Sequence, residues 1–88
     1  MQPETIKQLI EKGLPDATVF VDGDGAHFNA IVVSSQFIGH NRIQKQQIVY
    51  ATVKQVLLDG SLHALSIKTY TPEEWDQLQQ QTSITVGT

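Results

Sequence analysis

The sequence predicts a small α+β domain, its elements in the order α-β-β-α-β-α and its three strands in one mixed sheet. Three observations carry that expectation. Apolar residues recur at helical spacing in two separate stretches, Ile6-Leu9-Ile10-Leu14 and Val49-Val53-Val56-Leu57. Between them lie two runs rich in β-branched and aromatic residues, 17–21 and 28–33, joined by Asp22-Gly23-Asp24-Gly25. A third such run, 62–70, leads directly into Thr71-Pro72-Glu73-Glu74, the pattern of a helix capping box.

The first helix opens at Pro3, which suits a first helical position. Gly13 is expected to stop it in a left-handed conformation, with Leu14 folding back on Leu9, and Pro15 bars continuation. The four-residue turn then makes strands one and two an antiparallel hairpin, its two glycines able to take positive φ. Residues 34–41 read as irregular. The second helix is expected over 42–59 as one piece, with Ile48 and Tyr50 flanking its apolar stripe, Tyr50 packing on the sheet, and Gly60 as its stop. Strand, helix, strand in succession make a right-handed crossover, so strands two and three should be parallel. The third helix starts from Thr71 as N-cap and runs to about residue 80, with Tyr70 and Trp75 at the two staple positions. The domain is therefore expected over 1–80, with 81–88 a flexible tail.

A chain of 88 residues has room for one core and buries only about 60–65% of its unfolded surface, so function should sit on a surface or an edge. There is no apolar run long enough to cross a membrane and no signal-peptide pattern, which points to the cytoplasm and to no membrane partner. Cysteine is absent, which excludes disulfides, a thiol nucleophile and any all-thiolate metal site built from this chain alone. The soft-metal ligands that remain are His27, His40 and His63. No Gly-x-Ser-x-Gly or phosphate-loop pattern occurs, so an enzyme is not expected.

Two of the histidines are linked by the topology. His27 begins strand two and His63 begins strand three. Parallel neighbours start at the same edge of a sheet, about 4.8 Å apart. Two imidazoles there could ligate one metal centre whose other ligands come from outside, with the small turn 23–25 leaving access for a partner. His40 reads as an ordinary surface residue, and the acidic residues of the turn and of the capping box read as structural. Charge is uneven: residues 27–70 are mildly basic, while both ends are acidic and the net charge is −3. Arg42, Lys45 and Lys54 in the second helix, with Lys68 on the third strand, are candidates for nucleic-acid or partner binding.

Three stretches then carry a resemblance over about residues 3–80: Gly23-Asp24-Gly25-Ala26-His27-Phe28, Phe37-Ile38-Gly39 continuing into 42–50, and His63 through Trp75. They resemble the BolA family, and within it the IbaG-like bacterial branch. The resemblance implies a class II KH-like fold in the same element order. It implies a non-enzymatic adaptor that binds a monothiol (CGFS-type) glutaredoxin, with roles in iron–sulfur and iron homeostasis and in stress response. It also implies a [2Fe–2S] cluster shared with glutaredoxin and glutathione, and no cofactor in the chain alone. His63 maps to the histidine ligand of the third motif. His27 maps to the ligand of the loop before strand two, where some relatives carry cysteine. The alternative that the family suggests is a DNA-binding transcriptional regulator. Against it, the KH phosphate loop Gly-x-x-Gly is missing: Gly39-His40-Asn41-Arg42 stands in its place. Alone, the chain is expected to be a monomer or a weak homodimer.

Overall fold

The computed structural model describes the backbone of residues 1–86 and the side chains of residues 1–80. Its sheet has the order β1-β2-β3, formed by β1 (Thr18–Gly23), β2 (His27–Val33) and β3 (Ala64–Tyr70). β1 and β2 are antiparallel, with Thr18 opposite Val33 and Gly23 opposite Phe28. β2 and β3 are parallel, with His27 opposite Ala64 and Val33 opposite Tyr70. Hairpin and crossover both follow the expected topology.

Alternation along β2 sends Phe28, Ala30 and Val32 to a buried face. Against that face pack α1 (Pro3–Gly13), through Ile6 and Ile10, and α2 (Arg42–Thr52), through Val49. Phe37 and Leu62 close the core. Among the described residues four α-helices and a short 3-10 turn (Ser35–Phe37) accompany the sheet, where three helices were expected and 34–41 read as irregular. The predicted helix over 42–59 is broken at Val53 (φ −115°, ψ 15°), and a short α3 (Lys54–Leu58) follows. The cause is local. The Thr52 hydroxyl donates to the Val49 carbonyl at 2.6 Å, and the Val53 N–H bonds Tyr50, three residues back. Val53 is fully buried, so the kink keeps the stripe on the core.

Gly13 also has a different role from the expected stop. It is helical, and the residues with positive φ are Gly25, Gly39 and Gly60. A Cβ at Gly13 would lie 2.5 Å from Cγ2 of Thr52, so this glycine lets α1 approach α2 closely. Gly13→Ala would gain about 1 kcal/mol of helix propensity but add overpacking of about 1–3 kcal/mol. The expected net result is a destabilisation of about 1 kcal/mol in urea unfolding, relieved when Thr52→Ser removes the methyl group. An additive double variant would contradict the contact.

α4 (Pro72–Val86) begins as expected: Thr71 and Glu74 exchange hydrogen bonds of 2.8 and 3.2 Å, and the Tyr70 and Trp75 rings meet in a tilted contact with centroids 5.3 Å apart. Its backbone helix extends past the expected end near residue 80. The side chains of 81–88 lie outside the described residues, and so does the expectation of a flexible tail. Trp75 also meets Phe20 at 5.7 Å, on the sheet face away from α1 and α2.

A second anchor ties the loop before β1 to the segment that follows β2. Asp16 accepts hydrogen bonds from the Ser34 and Ser35 hydroxyls, the Ser35 N–H and the Gln36 amide. These bonds, the Ser35 hydroxyl's first, hold its carboxyl below the ordinary carboxylate range. A group with a depressed folded pKa contributes stability above its unfolded value and loses it as pH falls through the folded one. Asp16→Ala also strips a partner from the buried Ser34 hydroxyl. We expect it to cost about 1–2 kcal/mol at neutral pH and less once the pH has fallen through the depressed folded pKa, read from urea unfolding over a series of acidic pH values and at neutral pH. An equal cost throughout would contradict the account.

Candidate functional site: a histidine edge and a basic cleft

The turn before β2 is built around Asp24. Its carboxylate accepts the N–H groups of Ala26 and His27 at 3.0 Å each, and its own N–H donates to the His27 carbonyl at 3.2 Å. The His27 N–H is the leading cause that keeps the Asp24 carboxyl below its ordinary range. Asp24 is therefore the turn-former the sequence suggests, and its task is to fix the backbone at His27. Gly25 takes φ +99°. Gly23, expected to share that role, instead leaves room: a Cβ there would strike the His27 carbonyl and the Phe28 ring.

His27 is the first residue of β2 and is exposed. Its register partner is Ala64, so His63 stands one residue before that point on the neighbouring strand. Strand spacing and rise then put the two backbones roughly 6 Å apart. His63 is exposed as well, and it is held between buried Leu62, whose N–H bonds Val56, and the start of β3. Because β3 begins at Ala64, the pleat does not dictate the direction of the His63 ring. Tyr50, half exposed, clamps α2 onto the same end of β3 by donating its hydroxyl to the Leu65 carbonyl at 3.3 Å. Two exposed imidazoles at one sheet end offer two nitrogen donors. Among the described residues no group of three or more histidine, cysteine, aspartate or glutamate side chains could hold a metal ion. A metal centre at this edge would need ligands from another molecule.

His40 does not join them. It lies before α2, with its Nδ1 3.3 Å from the Gln44 amide oxygen. That oxygen also accepts the Asn41 N–H, and the Asn41 side chain accepts the Gln44 N–H, which forms a capping box for α2. The spacing Asn41-x-x-Gln44 carries this signal in the sequence.

The four basic candidates separate. Arg42, Lys45 and Lys68 line one open cleft of about 360 Å³ between the start of α2 and the end of β3, walled also by Ile67, Tyr70 and Glu74. Lys54 lies elsewhere, on an apolar surface with Tyr50, Leu57 and Leu58. Lys45 pairs with Glu74 at 3.5 Å, and its side chain is only 15% exposed. Thr71 and Lys45 together hold the Glu74 carboxyl below its ordinary range, the Thr71 N–H contributing most.

The fold and this edge define a two-layer α+β domain with a mixed three-stranded sheet and with His27 and His63 at one sheet end. The BolA-like protein family model matches residues 9–74, and the chain belongs to the BolA family, as an IbaG-like member. It is 41% identical over 75 residues to the acid stress protein IbaG of Escherichia coli, covering 85% of this chain and 89% of that protein. It is 34% identical over 80 residues to the DNA-binding transcriptional regulator BolA of Vibrio cholerae, covering 91% of this chain and 72% of that one. The structure of a BolA homologue from Coxiella burnetii superposes with a TM-score of 0.78 at 38% identity, over 86% of this chain and 97% of that one. Among the described residues no helix is long and apolar enough to cross a membrane.

Proposed function

We propose that the chain is a non-enzymatic adaptor that pairs with a monothiol (CGFS-type) glutaredoxin and co-ligates a [2Fe–2S] cluster through His27 and His63. The observation that carries the reading is the β2–β3 register, which puts two exposed histidines at one end of the sheet. The donor set fits a shared group. This chain offers imidazoles and no thiolate, so the glutaredoxin cysteine and glutathione would complete the ligation. A cluster held this way would supply one-electron chemistry at a potential above that of an all-thiolate site.

The chain's own part is positional. Asp24 fixes the backbone of His27, Tyr50 holds the end of β3 beside His63, and Gly23 and Gly25 keep the turn small beside an incoming partner. The 41% identity to an acid stress protein supports placing this adaptor in a stress response. Anaerobic reconstitution with a monothiol glutaredoxin and glutathione tests the reading. We expect a one-to-one complex whose visible circular dichroism differs from that of the glutaredoxin homodimer. Recovery of the homodimer spectrum alone, with no complex, would refute it.

A second reading, a DNA-binding regulator, is favoured by the name of the Vibrio cholerae relative and by the three cations of the cleft. It requires duplex binding that falls steeply with salt.

A further inference from the structure

We propose that the cleft between α2 and β3 is a carboxylate-binding site, the seat of an acidic side chain presented by a protein partner. Three cations, Arg42, Lys45 and Lys68, line the cleft, and Glu74 is the one carboxylate among its lining residues. Glu74 is committed: its Oε1 accepts the Thr71 N–H at 2.8 Å as part of the α4 capping box and meets Lys45 Nζ at 3.5 Å. Held by its own helix start, it is not free to swing toward the other two cations. Among the described residues neither Arg42 nor Lys68 has an acidic partner, and both are exposed. The cleft thus keeps an excess of two positive charges inside a chain of net charge −3.

Shape and chemistry narrow the ligand. A volume of about 360 Å³ lies at the small end of binding pockets, enough for one or two side chains rather than a long polymer. Ile67 and Tyr70 provide an apolar wall for methylene groups, while the Arg42 guanidinium offers a fork that matches a carboxylate in two parallel hydrogen bonds. Nucleic acid fits less well. Backbone recognition needs several phosphate contacts, and here two cations are unpaired, the fixed Glu74 stands in the wall, and Lys54 is on a different surface.

Position makes this a second contact. Lys68 is four residues beyond the strand start at Ala64, so the cleft lies roughly 13–20 Å along β3 from the histidine edge. A partner seated at both would run its footprint along β3. The site needs only the cleft, and its test involves neither glutaredoxin nor a cluster, so it stands or falls separately from the adaptor reading.

The test is a titration of the ¹⁵N-labelled full chain, followed by amide shifts, with four probes: N-acetyl-Glu-Glu-amide, succinate, inorganic phosphate and a short DNA duplex. The expected result is saturable shifts at Arg42, Lys45, Lys68 and Tyr70 with the peptide. Its affinity should drop about tenfold in the Arg42→Gln/Lys68→Gln variant and weaken with salt. Both changed residues are exposed, so the amide spectrum of the variant reports whether it is folded. Silence toward every probe would overturn the proposal. So would tighter binding of phosphate or duplex, which would assign the cleft to phosphate, or tighter binding of succinate, which would assign it to a free metabolite.

Discussion

Phe28→Ala is expected to lower the unfolding free energy by about 3–5 kcal/mol, a large share of the roughly 5–15 kcal/mol available to a small domain. Phe28 is 2% exposed and lies on the middle strand, opposite Gly23 on one side and Leu65 on the other. Its removal leaves a cavity beneath the end of the sheet that carries His27 and His63. Urea unfolding followed by far-ultraviolet circular dichroism reads the loss. Phe20→Ala is the contrast: Phe20 is 48% exposed and its main partner is the Trp75 ring, so a cost of about 1 kcal/mol is expected. Equal costs at the two positions would mean that the core does not sit on the face assigned here.

His63→Ala and His27→Ala are expected to do the opposite, leaving stability within about 0.5 kcal/mol of the parent because both side chains are exposed. If the proposed adaptor reading holds, their effect should fall on a cluster reconstituted with a monothiol glutaredoxin. Each single change is expected to alter its visible circular dichroism, and the double change to return the spectrum of the glutaredoxin homodimer. His40→Ala serves as the control and should alter neither, since His40 meets Gln44 away from that edge. A cluster spectrum untouched by the double variant would remove both histidines from the site.

Much of this fold was legible because its signals are local. The turn chemistry around Asp24, the Thr71–Glu74 capping box with its Tyr70–Trp75 staple, and the two apolar stripes each lie within a few residues of chain. The strand–helix–strand crossover then implied the parallel β2–β3 pair, and the pair brought His27 beside His63. What escaped depends on residues distant in sequence. Gly13 reads as a helix stop until Thr52 is seen against it, whereas the break at Val53 is local and comes from the Thr52 hydroxyl on the Val49 carbonyl. Asp16 looks like one more surface carboxylate, because its partners are eighteen to twenty positions away. The cleft is of the same kind. Arg42 and Lys68 come together only through the packing of α2 on the sheet, while Lys54, in α3 beyond the break at Val53, lies on another surface. The Asn41–Gln44 capping box differs from these, since its spacing was available in the sequence from the start.

The most direct measurement is pulsed electron paramagnetic resonance on the reduced, cluster-loaded heterodimer, with this chain alone labelled with ¹⁵N-histidine. Imidazole ligation by His27 and His63 predicts strong ¹⁵N couplings to the cluster that disappear in the His27→Ala/His63→Ala variant. A fully formed heterodimer cluster with no ¹⁵N coupling from this chain would contradict the account.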